Sequence, residues 1–202
     1  MQGKFEVERR ARITLEVVCD YPIECLICAD KPDLQDTTHS YGIEVVEDCY
    51  SNEKEALRFI SNVWHKPISE IKPEKIEKLG KLGGSIAEEN GVIARAALGT
   101  TPNSPEHLIG TIKQKVEKLN SNGYEEFSRY GLYVLVGTVC LSDSYTQSVV
   151  DAIAEYQIGK AQMYETIYLD GSYEMYICNM KQRSFVCEPI NKEKIREKIW
   201  ED

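Results

Sequence analysis

Residues 31–48 read KPDLQDTTHSYGIEVVED, and this stretch decides which fold and which chemistry the chain can have. Asp33 follows a proline at the end of an apolar run, residues 23–29, and Glu44 lies inside a second apolar run. Polar turn residues and Gly42 separate the two runs, so the stretch predicts two short strands joined as a hairpin. A hairpin can bring the acid at the end of one strand beside the acid within the next.

Two converging carboxylates have a specific chemical use. Proteins commonly hold Mg²⁺ by one or two carboxylates, and the ion keeps its other positions for water and phosphate. Asp33 and Glu44 therefore predict a metal-dependent phosphodiesterase site. The pattern also has a purely structural interpretation, in which Asp33 bonds its own backbone in a Pro-Asp turn and Glu44 is the outward residue of a half-buried strand.

Composition restricts the class of protein. The 202 residues are 42% hydrophobic and 28% charged, which is ordinary for a globular protein of one domain. No apolar stretch approaches the roughly 20 residues that span a bilayer. The N-terminal segment MQGKFEVERRAR lacks the apolar centre of a signal peptide. The seven cysteines include one CxxC, Cys25 and Cys28, but no second pair or histidine partner has zinc-ligand spacing. We therefore expect a soluble, cytoplasmic protein with reduced thiols and no membrane partner.

The order of helices and strands predicts an α/β or α+β fold. A nearly continuous apolar run, LYVLVGTV at residues 132–139, predicts a buried central strand. Asp170-Gly171 marks a hairpin turn between two further strands. Glycine and proline on both sides of residues 66–105 predict an insertion or lid within a single domain, residues 1–202. Apolar residues at helical spacing predict helices over residues 4–19, 51–63, 104–122, 147–156 and 192–200.

This pattern resembles the PD-(D/E)XK nuclease superfamily, whose core is a helix, three strands, a helix and a further strand. The matching residues are Pro32-Asp33 for the PD element and Ile-Glu-Val-Val at 43–46 for the acid-bearing strand. The chain is similar in particular to uncharacterised bacterial and phage members with PD followed by GIEV. Those members also carry a Lys-rich helix ending in Gly-Tyr and then an apolar strand, here TIKQKVEKLNSNGYEEF and LYVLV.

The resemblance covers roughly residues 4–65 and 104–178. It implies a restriction-endonuclease-like mixed sheet flanked by helices, and it implies that Asp33, Glu44 and the backbone carbonyl of Val45 hold Mg²⁺ or Mn²⁺. One departure matters. The superfamily places a lysine two positions after the strand acid, where this chain has Val46.

In this superfamily the lysine is known to migrate to a neighbouring helix, which makes Lys113 and Lys115 the candidates. We choose Lys115, which lies three residues after an isoleucine and three before another lysine. The resemblance also implies an accessory glutamate on the first helix, and Glu8 borders that helix's buried stripe more closely than Glu16. Gln35 shares a strand face with Asp33, where it could contact the phosphate or a water on the metal, or close the turn.

Three functions stay open at this point. The first is Mg-dependent hydrolysis of DNA phosphodiester bonds, with the insertion as a DNA-facing lid. The alternative is a catalytically silent member of the same fold that binds a protein or nucleic-acid partner, which Val46 and the net charge of −9 favour. The third is an unrelated structural or assembly domain, and a homodimer is compatible with each. A lysine ammonium within about 4–6 Å of the two acids would favour the enzyme.

Overall fold

The computed structural model describes residues 4–19, 25–38, 40–49, 51–98, 104–121, 125–137 and 141–201. The chain divides into two compact units. We call Cys49–Asn103 the inserted unit, and we call Gln2–Asp48 together with Ser104–Asp202 the sheet unit. The inserted unit therefore begins at Cys49, ahead of the sequence-predicted start at residue 66. Of the helices in the described ranges, none is both long and apolar enough to cross a membrane.

The described residues form a mixed α/β structure, which confirms the predicted fold class. The helices are α1 (Lys4–Cys19), α2 (Ser51–Val63), α3 (Pro73–Lys81), α4 (Glu106–Leu119), α5 (Asp143–Tyr156) and α6 (Lys192–Glu201). The strands are β1 (Leu26–Cys28), β2 (Leu34–Asp36), β3 (Tyr41–Asp48), β4 (Gly84–Glu89), β5 (Val92–Leu98), β6 (Arg129–Val136), β7 (Tyr164–Asp170), β8 (Glu174–Asn179) and β9 (Ser184–Pro189).

The sheet unit contains a seven-stranded sheet in the order β1-β2-β3-β6-β7-β8-β9. Strands β3, β6 and β7 are parallel, and the remaining neighbours are antiparallel. The apolar run that predicted a central strand is β6, which lies in the middle of this order and is mostly buried. The central position of β6 explains why its sequence is almost continuously apolar. Both faces of the strand are covered, so the side chains on both faces are apolar.

The two predicted strands are in fact three: β1 lies in the apolar run at residues 23–29, and a further strand, β2, lies between it and β3. Proline has no N–H to donate to a ladder, so the chain turns at Pro32 instead of extending through it. The turn is closed by the Ala29 N–H, which donates to the Asp33 carbonyl at 2.8 Å. Asp33 therefore lies just before β2, and the hairpin that leads to Glu44 is formed by β2 and β3.

The two faces of the sheet are covered by different helices. Helix α1 packs Ala11 and Leu15 into a cluster with Ile43 and Val45, the odd-numbered positions of β3. Helices α4 and α5 pack against the opposite face, in a cluster that Val46 joins. Because successive side chains of a strand point to opposite faces, the even-numbered positions of β3, including Glu44, face α4.

The inserted unit has its own small core. It consists of α2, a 3₁₀ turn at Ile68–Glu70, α3 and the β4–β5 hairpin. Val63, Ile71 and Ile93 are buried together at its centre. Residues 99–103, which belong to the predicted loop after this segment, lie outside the described residues.

Gly42 allows the Pro32-Asp33 turn to pack directly on β3. A Cβ at this position would collide with Cγ of Pro32 and would lie 3.2 Å from Cγ of Phe127. We expect Gly42→Ala to lower the free energy of unfolding by about 1–3 kcal/mol, the usual cost of overpacking. Urea unfolding measures the change. Gly110→Ala is the control, since a Cβ there meets nothing within 4 Å, and unchanged stability of Gly42→Ala would contradict the close packing.

Candidate active site

The register of β2 and β3 places Asp33 beside Glu44. Leu34 pairs with Ile43, and Gln35 pairs with Gly42. Extending this register by one residue sets Asp33 opposite Glu44, and alternation along the strands puts both side chains on the α4 face. Both are almost fully buried, with 2% of Asp33 and 3% of Glu44 exposed. The structure thus brings together the two acids that the sequence singled out.

A backbone hydrogen bond fixes the orientation of the Asp33 carboxylate. The Val45 N–H donates to Asp33 Oδ2 at 2.9 Å. In a strand, the N–H and C=O of one residue point toward the same neighbour, so the Val45 carbonyl is also directed to the Asp33 side of β3. The three sequence-predicted metal-binding groups, Asp33, Glu44 and the Val45 carbonyl, therefore lie at one place along β3.

Two lysines of α4 contact Glu44. Lys115 Nζ donates to Glu44 Oε1 at 2.7 Å, and Lys118 Nζ donates to the same oxygen at 3.1 Å. Residues three apart on a helix share a face, which explains why both reach the same carboxylate. Lys113 points elsewhere, with its Nζ 4.7 Å from the centre of the Tyr156 ring. Of the two candidates that replace the lysine absent at position 46, the structure places Lys115 at the acids.

Lys118 is a site residue that the sequence analysis did not assign. It was noted only as the neighbour of Lys115, although its spacing of three residues was the signal that could have identified it. About half of the Lys118 side chain is exposed, compared with 21% of Lys115. The site therefore opens to solvent on the Lys118 side, while Lys115 closes its inner side.

The donor set of this site fits a hard divalent cation. Glu44 Oε2 is buried and has no hydrogen-bond partner among the described residues, so one carboxylate oxygen retains its full capacity to accept. Mg²⁺ prefers oxygen ligands and is often held by only one or two carboxylates together with substrate phosphates. No cluster of three or more His, Cys, Asp or Glu side chains suited to a metal occurs in the described ranges. Asp33, Glu44 and the Val45 carbonyl are the groups that could hold the ion.

The two predicted accessory residues have different positions. The Gln35 amide Nε2 donates to the Pro32 carbonyl at 3.1 Å, so this buried side chain closes the turn before β2. Glu8 is buried on α1, which packs on the sheet face opposite to the one that Glu44 occupies. Glu16, the less favoured choice, accepts a hydrogen bond from Lys198 Nζ at 2.5 Å and is thereby engaged with α6.

A second polar cluster extends the site along β3 and α4. Asp48 is buried on the same face as Glu44, and its Oδ1 accepts a hydrogen bond from Thr111 Oγ1 at 2.6 Å. His107 Nδ1 lies 2.9 Å from the same oxygen. Helix α4 therefore presents one polar stripe, with His107 and Thr111 at Asp48 and the two lysines at Glu44.

Comparison of the chain with family models, with curated proteins and with solved structures found no match. The functional conclusion therefore depends on the residues and geometry of this site.

Proposed function

We propose that this protein is a metal-dependent nuclease that hydrolyses phosphodiester bonds of DNA. The observation that carries the proposal is the ion pair between Lys115 and Glu44, because it completes a site of two adjacent buried acids with a lysine cation. The order of elements in the sheet unit supports the same proposal. Helix α1, strands β1, β2 and β3, helix α4 and strand β6 follow the sequence of elements that the resemblance implies.

The acids bind and orient the reacting groups. Asp33, Glu44 and the Val45 carbonyl are the groups that would hold Mg²⁺ or Mn²⁺. A divalent ion in such a site lowers the pKa of a water molecule and offsets charge on the scissile phosphate. Asp33 is held for this purpose by the Val45 N–H, and Glu44 keeps its Oε2 atom available. Preorganised ligands of this kind do not need to rearrange during the reaction.

The lysines supply positive charge where the phosphate enters. Lys115 donates a hydrogen bond to the Glu44 carboxylate, and we assign it electrostatic stabilisation of the developing oxyanion and orientation of the attacking water. Lys118 is more exposed and lies on the open side of the site, where it can contact a phosphate of the incoming strand. Both cations also balance the charge of Glu44 before substrate binds.

Lys115→Met is expected to lower kcat by about 100-fold to 1,000-fold, the usual effect of removing one preorganised donor to a developing oxyanion. Methionine keeps most of the length and apolar volume of the side chain, so the fold should persist. The measurement is the rate of plasmid nicking with Mg²⁺ in excess. Lys113→Met is the matched control on the same helix, because Lys113 lies over Tyr156 rather than at the acids. Equal rates for the two variants would remove Lys115 from the mechanism.

The proposed function is tested by metal binding and cleavage together. Calorimetric titration of Mg²⁺ and Mn²⁺ should show binding to the wild type and none to the double variant Asp33→Asn, Glu44→Gln. These substitutions preserve side-chain shape, and an asparagine oxygen can still accept the Val45 N–H. The wild type should also nick plasmid DNA with either metal, and the double variant should not. A wild type that neither binds metal nor cleaves DNA would overturn the proposal.

One observation favours the silent alternative. Asp33 and Glu44 are both nearly inaccessible, and Glu44 is already paired with two cations. In a silent protein these contacts would only attach α4 to β3. The double variant would then lower thermal stability and leave binding of DNA or of a protein partner unchanged, whereas the nuclease proposal requires the loss of metal binding.

A further inference from the structure

The inserted unit contains a pocket that the nuclease site does not use. Helix α2, the 3₁₀ turn and α3 enclose a cavity of about 500 Å³. One side of this cavity is apolar and is formed by Phe59, Val63, Ile71, Leu79 and Leu82. Phe59 lines the cavity and is only partly buried. A ligand with a flat or apolar part could lie against this wall.

The rim of the pocket is positively charged. Four lysines line it, together with only two glutamates, Glu55 and Glu70; the lysines are Lys66, Lys72, Lys75 and Lys78. Lys78 is neutralised by Glu55, with 2.5 Å between Nζ and Oε1. The other three lysines are exposed and make no ion pair with any carboxylate in the described residues. A chain with a net charge of −9 has ample carboxylates, yet three cations beside this apolar wall are left unpaired.

This combination favours an anionic ligand with a planar apolar part. A simple anion would make no use of the apolar wall, and an apolar peptide side chain would make no use of three cations. Single-stranded nucleic acid has both properties, since its phosphates are attracted by lysines and its bases stack on aromatic rings. A base in a duplex cannot enter an enclosed pocket unless it is first unpaired.

We propose that this pocket holds one unpaired nucleotide of a single DNA strand. The base lies against Phe59, and the neighbouring phosphates contact Lys66, Lys72 and Lys75. This inference rests on the proposed function, which makes DNA the substrate, and it adds that the substrate is recognised through a single-stranded segment. The inserted unit then supplies strand recognition, while the sheet unit supplies the cleavage chemistry.

The test is binding of a fluorescein-labelled oligothymidylate of about 12 nucleotides, a length within the usual site size. Anisotropy is measured with EDTA present, so that no cleavage occurs. The pocket variant is Lys66→Gln, Lys72→Gln, Lys75→Gln, which keeps much of each aliphatic stem. We expect it to bind at least about tenfold more weakly than the wild type, and its salt slope to fall by about 2, since each phosphate contact on a single strand contributes about 0.7.

A second variant and a charge-matched control separate the pocket from general electrostatics. Phe59→Leu keeps an apolar wall but removes the ring, and it should weaken binding by about tenfold through lost stacking. The control is Lys81→Gln, Lys181→Gln, Lys194→Gln, which removes the same charge from exposed lysines outside the pocket. Circular dichroism confirms that each variant is folded. Equal weakening by the pocket variant and the control, or no binding of the oligonucleotide by the wild type, would overturn the inference.

The outcomes distinguish this inference from the proposed function. A wild type that binds the oligonucleotide through the three lysines but never cleaves DNA would support the pocket and reject the nuclease. A pocket variant that binds the oligonucleotide and cleaves DNA like the wild type would support the nuclease and reject the pocket. Duplex DNA of the same length should compete more weakly than the single strand, because its bases are paired.

Discussion

Glu44→Gln is expected to lower the rate of DNA cleavage at least about a thousandfold, because a neutral amide contributes far less charge to cation binding than a carboxylate. The reason lies in the position of this side chain. Glu44 is opposite Asp33, contacts both lysines through Oε1 and retains a buried Oε2. Glutamine has the same shape as glutamate but no charge. The substitution therefore removes the negative charge that would bind the cation and preserves the packing of the side chain. Plasmid nicking at saturating Mg²⁺ measures the loss.

The stability of this variant should change much less than its activity. The substitution removes the carboxylate that Lys115 and Lys118 contact, but the two side chains are 21% and 48% exposed and can be hydrated. Glu117→Gln is the control on the same helix, because Glu117 contacts Lys160 and the Tyr156 hydroxyl of α5 rather than the groups at Glu44. We expect the control to cleave at the wild-type rate. Nicking by Glu44→Gln at that rate would show that Glu44 has no catalytic role.

The sequence predicted that Asp33 and Glu44 lie side by side, although the strand that pairs with β3 is β2 and not the run at residues 23–29; the helix lysine was inferred from the family resemblance. The turn signals between Asp33 and Glu44 predicted a hairpin, and the alternation of a strand then gave both acids one face. Lys115 follows the buried Ile112 by three residues on α4. The Lys115 side chain therefore lies next to the buried face of the helix and does not point away from it. The position of each of these side chains relative to its neighbours in sequence is determined by the local geometry of one hairpin or one helix.

Other features depend on contacts between distant parts of the chain. Thr111 and His107 reach Asp48 only because α4 packs across β3, and the bond between Thr111 and Asp48 joins residues 63 positions apart. Helix α2 was interpreted as part of the main fold, whereas it belongs to the inserted unit. An amphipathic helix shows that it has a buried face, but its pattern does not identify the partner that covers this face.

Asp170→Ala is expected to lower the free energy of unfolding by about 3–5 kcal/mol, the usual effect of breaking a buried charged network from one side. Asp170 is completely buried at the end of β7. It accepts hydrogen bonds from the Tyr133 hydroxyl at 2.5 Å and from the Ser172 N–H at 2.7 Å, and Arg10 of α1 lies 3.6 Å away. Urea unfolding measures the loss.

The size of this effect follows from the groups that the substitution leaves behind. Burial, together with the neighbouring charge of Asp170, raises the pKa of Tyr133 well above its usual value, so this phenol remains a neutral donor that needs an acceptor. Alanine provides none, and the buried hydroxyl then bears its full desolvation cost. Asp151→Ala is the control, because Asp151 lies on α5 and accepts an exposed hydrogen bond from Gln147. If both variants unfolded at the same urea concentration, Asp170 would not be what attaches α1 to the centre of the sheet.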